Sequence, residues 1–436
     1  MQEGNGVSSN GRVITLEEFI IDTFTHIQED GSQVDVDQPD QIGGGGSYAI
    51  IGARIFLPPT KVGMLLSYTP ESLPEPMRQS LLAYGEEMWA FVLRKDGNPT
   101  TRILNTYHGQ IRTERYLSPP NLFTPLSLLS TPWINPSNPE DWPIIIHFIS
   151  YSDRARKVVE ELDILREKMG KDDWIPKLVW EPYPPMCIPE NVTALRELVP
   201  FFDIISPNHT EALSFFPSLS IHPNLDKPSF VPFPLQETPQ STSNLPSPPP
   251  DSLPHDLEIN ETDVAEERLK ENIELACLKL LSFKPKIGVI IRCGHLGCCY
   301  ALSPFHSDSL FKKPSNSQGP LFENTPDSQM MEEIVGKGEN EERTKVIWIP
   351  AYWDKSDEEK KVDPTGAGNA FMGGVCAALH KGLDLHQAVL YGTVAASFII
   401  EQHGLPSLTL IEGEERWNDD SPFRRLNILQ GKLCPK

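Results

Sequence analysis

Apolar and polar residues follow two different rhythms along this 436-residue chain. From Ile144 onward, short strand-like apolar runs alternate with segments of helical period. Ile144-Ile145-Ile146-His147-Phe148 reads as a buried strand, and Arg154 to Lys168 as a helix capped by Ser152 and closed at Gly170. Leu178-Val179-Trp180-Glu181 is the next strand, followed by a helix around Val192 to Leu198 and a strand at Asp203-Ile204-Ile205-Ser206. Further on come an amphipathic helix at Val264 to Leu281, a strand at Ile287 to Arg292 and a strand at Val346 to Ile349. A helix begins near Asn369, and another spans Leu385 to Gln402, capped by Asp384 and stopped at Gly404. Strands separated by helices predict parallel β-α-β units, so the main domain is expected to be α/β.

The first third of the chain reads otherwise. Phe19-Ile20-Ile21-Asp22 is a short buried strand. Trp89 to Leu93 and Thr101 to Tyr107, on either side of Lys95-Asp96-Gly97-Asn98, predict a hairpin whose alternation runs weakly to Tyr116. No helical segment separates these strands, so they suit a small sheet set apart from the main layer.

Composition changes this picture in two places. Apolar residues make up only 39% of the chain and there are 42 prolines, so part of it is expected to form no core. Residues 217–258, Pro/Ser-rich, and 303–344, polar, are the two stretches that read as insertions. The net charge of −22 and the lack of a Lys/Arg block argue against nucleic acid and anionic membrane as partners. Leu385 to Ile400, the longest apolar helix candidate, contains His386, Gln387 and Ser397 and falls short of a membrane span. Met1 to Asn10 has no basic segment followed by an apolar one. A soluble, cytoplasmic protein is expected, with the nucleus also open to it.

Three places carry candidate chemistry. Gly366-Ala367-Gly368 lies between a strand and a helix, where unpaired backbone N–H groups and the helix dipole would favour an anion. The same turn also suits an ordinary connection that merely needs small residues. Asn208 and Glu211, three apart past a strand end, suit either a hydrated cation or a capping box. Gly43 to Gly46 are too far from a buried strand to form a dinucleotide fingerprint, since Asp35 to Gln41 is polar and contains Pro39. A glycine floor under a small ligand or lid suits them better. Asp22 closes its strand on the side where open α/β sheets bind ligands, although taken alone a turn-forming role suits it better. Cys293, Cys298, Cys299 and His295 match no paired metal-ligand spacing, and buried reduced thiols are expected.

Taken together, Asp363-Pro364-Thr365-Gly366-Ala367-Gly368-Asn369, Asn208-x-x-Glu211, the glycine floor, Arg292-Cys293-Gly294 and Asp22 resemble the ribokinase (PfkB) carbohydrate kinase family. Within it they look like the fungal killer-maintenance (Mak-type) branch. The resemblance implies a kinase domain over residues 11–436, a three-layer α/β/α sandwich with a mainly parallel central sheet and a small β lid with strands at about 88–117. It implies ATP, Mg2+ and a small hydroxylated substrate. Asp22, Gly43, Gly44, Gly45, Gly46 and Ser47 would then hold the substrate. Asn208 and Glu211 would position magnesium through water, and Arg292, Gly294, Gly297, Asp363 and Thr365 would border the nucleotide. Gly366, Ala367, Gly368 and Asn369 would surround the transferring phosphoryl group.

Two departures stand out. Ser47 replaces the family's usual Asn, and Asn369 replaces the Asp that acts as general base. An amide orients a hydroxyl but does not take its proton at neutral pH. Asp363, the nearest acid in sequence, is six residues away across a turn. Either phosphoryl transfer to a sugar-like hydroxyl is weak or altered, or the protein is a pseudokinase scaffold whose insertions meet protein partners.

Overall fold

The computed structural model describes residues 10–28, 32–35, 39–108, 111–219, 261–304, 345–354 and 356–433. Both expected insertions lie almost wholly outside the described residues. The strands of the first half are β1 (Arg12–Thr15), β2 (Ile20–Ile27), β3 (Gln33–Asp35), β4 (Gln41–Gly43), β5 (Val62–Tyr68), β6 (Trp89–Leu93), β7 (Arg102–His108) and β8 (Ile111–Ser118). Those of the second half are β9 (Pro143–Ser150), β10 (Lys177–Pro182), β11 (Ile204–Ile205), β12 (Gly288–Arg292), β13 (Cys298–Leu302), β14 (Ile347–Ile349), β15 (Leu408–Ile411) and β16 (Glu414–Trp417). The helices are α1 (Gly45–Arg54), α2 (Glu75–Leu82), α3 (Ser152–Met169), α4 (Val192–Leu198), α5 (His209–Phe215), α6 (Glu261–Leu281), α7 (Ala367–His380), α8 (Leu385–Ile399) and α9 (Pro422–Leu433).

Nine of the described strands form one sheet in the order β14-β13-β12-β11-β10-β9-β1-β5-β6. It is parallel from β6 to β12, and β13 and β14 close one edge antiparallel. Period-two alternation sends neighbouring side chains to opposite faces. Val13, Ile145, Val179, Ile290 and Cys298 join a core under α1, α7 and α8. Ile14, Ile146, Trp180, Ile291 and Cys299 join a second core under α3, α4, α5 and α6. Two apolar cores on one sheet make three layers, as expected. Fully buried side chains such as Phe148 and Trp180 each contribute on the order of 1.5–3 kcal/mol.

β3, β2, β7 and β8, with β4 beside β2, form a separate small sheet. It is antiparallel except where β2 runs parallel to β7. The expected hairpin of Trp89–Leu93 with Thr101–Tyr107 does not form. β6 instead pairs parallel with β5 at the edge of the main sheet, where Trp89 and Ala90 are buried. The small sheet therefore starts at β2 rather than near residue 88, and Asp22 belongs to it. The eight-residue α2, which carries Pro76, is the crossover helix that the sequence pattern hid. Ser152 is the first residue of α3 and makes no cap bond, while left-handed Gly170 closes the helix as expected.

The site depends on one close helix contact. A Cβ on Gly373 would overlap the carbonyl of Ala49, and one on Gly52 would overlap that of Ala370. The α1 and α7 backbones can approach only because these positions lack side chains. Gly373→Ala is therefore expected to lower stability by about 1–3 kcal/mol through overpacking, measured by chemical denaturation. An unchanged midpoint would show that the helices move apart freely.

Candidate active site

The ends of β9, β10, β11 and β12 and the first turns of α1 and α7 converge on one group of side chains. At its centre is Glu181, at the end of β10 and 2% exposed. Arg292 Nη1, from the end of β12, lies 2.5 Å from Glu181 Oε2. His147 Nε2, from β9, lies 2.7 Å from Glu181 Oε1, and Thr15 Oγ1 from β1 lies 3.1 Å from His147 Nδ1. Because an ionised carboxylate only accepts, His147 Nε2–H donates to it. Burial alone would push the Glu181 carboxyl up, but Arg292 and His147 outweigh it and hold it below its ordinary range.

Asn369, in the first turn of α7, donates from Nδ2 to both Glu181 oxygens at 3.4 and 3.3 Å. The carboxylate fixes the amide's orientation, since a flip would set two acceptors face to face. Asn369 Oδ1 is thereby left as the acceptor for a ligand. Gly366 caps α7 in the left-handed region, φ 76°, with the Tyr48 ring where a Cβ would stand. Ala367 N–H is taken by Pro364 O. The N–H groups of Gly368 and Asn369 belong to the unpaired first turn and point along the positive end of a 14-residue helix.

The glycine floor lies directly alongside. Gly43 ends β4, where a Cβ would overlap the carboxylate of Asp22. A Cβ on Gly45 would come within 3.2 Å of Asn369 Nδ2. Gly44 (φ 87°) and Gly46 pack against Glu18, Ile20 and Glu17. Ser47 is fully buried in α1, and its Oγ has no hydrogen-bond partner among the described residues. The structure thus brings Asp22, Gly43, Gly45 and Asn369 together beside Glu181.

On the other flank, Asn208 and Glu211 form a reciprocal capping box on α5. Glu211 N donates to Asn208 Oδ1 at 2.8 Å, while Asn208 N and Nδ2 donate to the two Glu211 oxygens at 2.7 and 2.6 Å. Burial pushes the Glu211 carboxyl up to about 7. Arg292 Nη2 lies 3.8 Å from it and donates to Ser206 O at 3.0 Å. Gly294 and Gly297, both at positive φ, turn the chain from β12 into β13, and a Cβ on Gly297 would overlap the Ile349–Ala351 backbone. Asp363 accepts from Thr365 N at 2.9 Å and lies 3.2 Å from His403. Those contacts outweigh its partial burial and lower its pKa, which makes Asp363 a poor base.

Glu181 and His147 were not singled out as functional by sequence reasoning. Each reads as part of a buried strand, and the only signal for them was a charged or polar residue at a strand's C-terminal end. Arg292 was placed at the nucleotide but not as an ion-pair partner. Cys293, Cys298 and Cys299 are buried free thiols, as expected, while His295 is exposed. Among the described residues no group of three or more His, Cys, Asp or Glu is arranged to hold a metal ion, and no helix is long and apolar enough to cross a membrane.

Residues 351–410 match the sequence model of the pfkB family carbohydrate kinases. Over 429 residues the chain is 26% identical to an uncharacterized protein of Schizosaccharomyces pombe, covering 96% of this chain and 92% of that one. Over 441 residues it is 25% identical to Protein MAK32 of Saccharomyces cerevisiae, covering 98% and 94%. A 52-residue stretch is 42% identical to inositol 3-kinase of Arabidopsis thaliana, covering 12% of this chain and 15% of that one. Ribokinase of Cryptococcus neoformans var. grubii, solved with ADP, superposes with a TM-score of 0.53 at 14% identity, covering 98% of this chain and all of that one. Arabidopsis ribokinase, solved with ribose and ATP, gives 0.50 at 12% identity, covering 96% and 99%. The fold is ribokinase-like, and residues 351–410 are similar to the pfkB family carbohydrate kinases.

Proposed function

We propose that this PfkB-like chain binds a nucleoside triphosphate at the first turn of α7 and transfers its terminal phosphoryl group, slowly, to a small hydroxylated substrate. The observation that carries the reading is the meeting of the α7 turn and the glycine floor at Asn369, with Asp22 against Gly43 on the same floor. Phosphoryl transfer depends mainly on positioning and on charge stabilisation, and the unpaired N–H groups of the turn supply both without rearrangement. A substrate hydroxyl resting on the floor between Asp22 and Asn369 Oδ1 would face the phosphoryl group seated at Gly368. Ser47, fully buried in α1, has no surface to offer the substrate.

What is weak is proton removal. Asn369 orients the hydroxyl but does not take its proton, and the nearest carboxylate, Glu181, is made a poor base by Arg292. Asn369 therefore also supports a second reading, a pseudokinase of the cytoplasm that binds nucleotide and acts through protein partners. Calorimetry with ATP and ADP, followed by ADP release across a panel of sugars and polyols, separates the two. Binding with slow, substrate-dependent release is expected. Binding without any release favours the scaffold, and absence of nucleotide binding rejects both.

A further inference from the structure

We propose that the Arg292 guanidinium stands where a hydrated divalent cation would sit in this site, so that nucleotide phosphate is held by the side chain and needs no metal. The inference rests on the nucleotide site proposed above. The magnesium implied by Asn208 and Glu211 would be held through water. Metal–water and water–carboxylate distances of about 2.1 and 2.7 Å place such an ion roughly 4–5 Å from a Glu211 oxygen. Arg292 Nη2 already lies 3.8 Å from Glu211 Oε2. The two cations would compete for one space, and each would raise the electrostatic cost of the other. The Asn208–Glu211 pair is in any case spent on its own capping box, which takes both carboxylate oxygens and the amide oxygen.

Arg292 is also held in place. Nη1 is paired with Glu181 and Nη2 donates to Ser206 O, so it cannot swing away without leaving Glu181 buried and without its strongest partner. Nη1 lies 2.7 Å from where a Gly368 Cβ would be, so glycine at that position is what lets the guanidinium rest against the first turn of α7. The side chain keeps 13% of its surface exposed, and a guanidinium fork lying against the unpaired backbone N–H groups of α7 has the charge and shape to take a phosphate through that surface.

The test is calorimetry of ADP and ATP on the full chain, in magnesium and in excess EDTA. Affinity is expected to change by less than about tenfold on removing the metal. Arg292→Met should weaken metal-free binding by roughly ten- to a hundredfold, the loss of one charge-assisted hydrogen bond or two. Should that variant fail to fold, Arg292→Lys keeps a charge near Glu181 but not the fork, and should lose most of the metal-free affinity with its circular dichroism unchanged. Wild-type binding that requires magnesium overturns the inference and leaves the nucleotide site standing. Metal-free binding unaltered in the folded variants overturns it too. No nucleotide binding under either condition overturns both.

Discussion

Asn369→Asp is expected to raise ATP-dependent phosphorylation of a hydroxylated substrate by roughly 10²-fold, with about 10⁴ as a ceiling. The lower figure is preferred because the transition state is loose and the hydroxyl proton departs late. The new carboxylate would meet a particular electrostatic setting. The amide it replaces donates to both oxygens of Glu181, so an aspartate there faces a second carboxylate at about the same separation. Like charges that close push one pKa up, and Arg292 with His147 already keeps Glu181 ionised. The upward shift therefore falls on the introduced group, toward the pH at which a general base works best. The measurement is ADP release across the sugar and polyol panel for wild type, Asn369→Asp and Asn369→Ala. The alanine variant should not gain. If the aspartate variant binds nucleotide and still transfers nothing to any hydroxyl, the site is not a kinase site with a missing base.

The main sheet and its helices were legible because β9, β10 and β12 are nearly continuous apolar runs separated by helical periods. The α7 turn was legible as a strand-to-helix connection of small residues, and the structure explains its glycines through Tyr48 and Arg292. β6 was misplaced because α2, short and carrying Pro76, gives too weak a helical period to reveal a crossover. Asn208 and Glu211 illustrate a different limit. Their spacing suits a capping box and a cation site equally, and only Arg292, brought alongside from 81 residues further on, separates the two. Glu181 escaped notice for a related reason. Its meaning comes from what faces it, and its partners stand at positions 147, 292 and 369.

Glu181→Gln is expected to destabilise the protein by about 3–5 kcal/mol, because it removes one half of a buried ion pair and leaves the other inside. The glutamine would keep an acceptor for His147, but its amide would set donors against Arg292 Nη1 and Asn369 Nδ2, both of which now donate to the carboxylate. Chemical denaturation of Glu181→Gln, Arg292→Met and the double variant measures this. The double variant should be more stable than the sum of the single losses predicts, since neither charge is then stranded. Simple additivity would mean that the pair is not coupled. Titration gives an independent check. Glu181 has a folded pKa below its unfolded one, so its stabilisation is present above the unfolded value and lost as pH falls through the folded value. Glu211, raised to about 7, acts in the opposite direction, and its contribution fades as pH rises from the ordinary carboxylate range to about 7. Wild type should therefore lose stability on both sides of a maximum near the ordinary carboxylate range. Glu181→Gln should lack much of the acid limb and keep the limb toward neutral pH. An acid limb identical to wild type would mean that Glu181 is not the carboxylate on which the site's ion network depends.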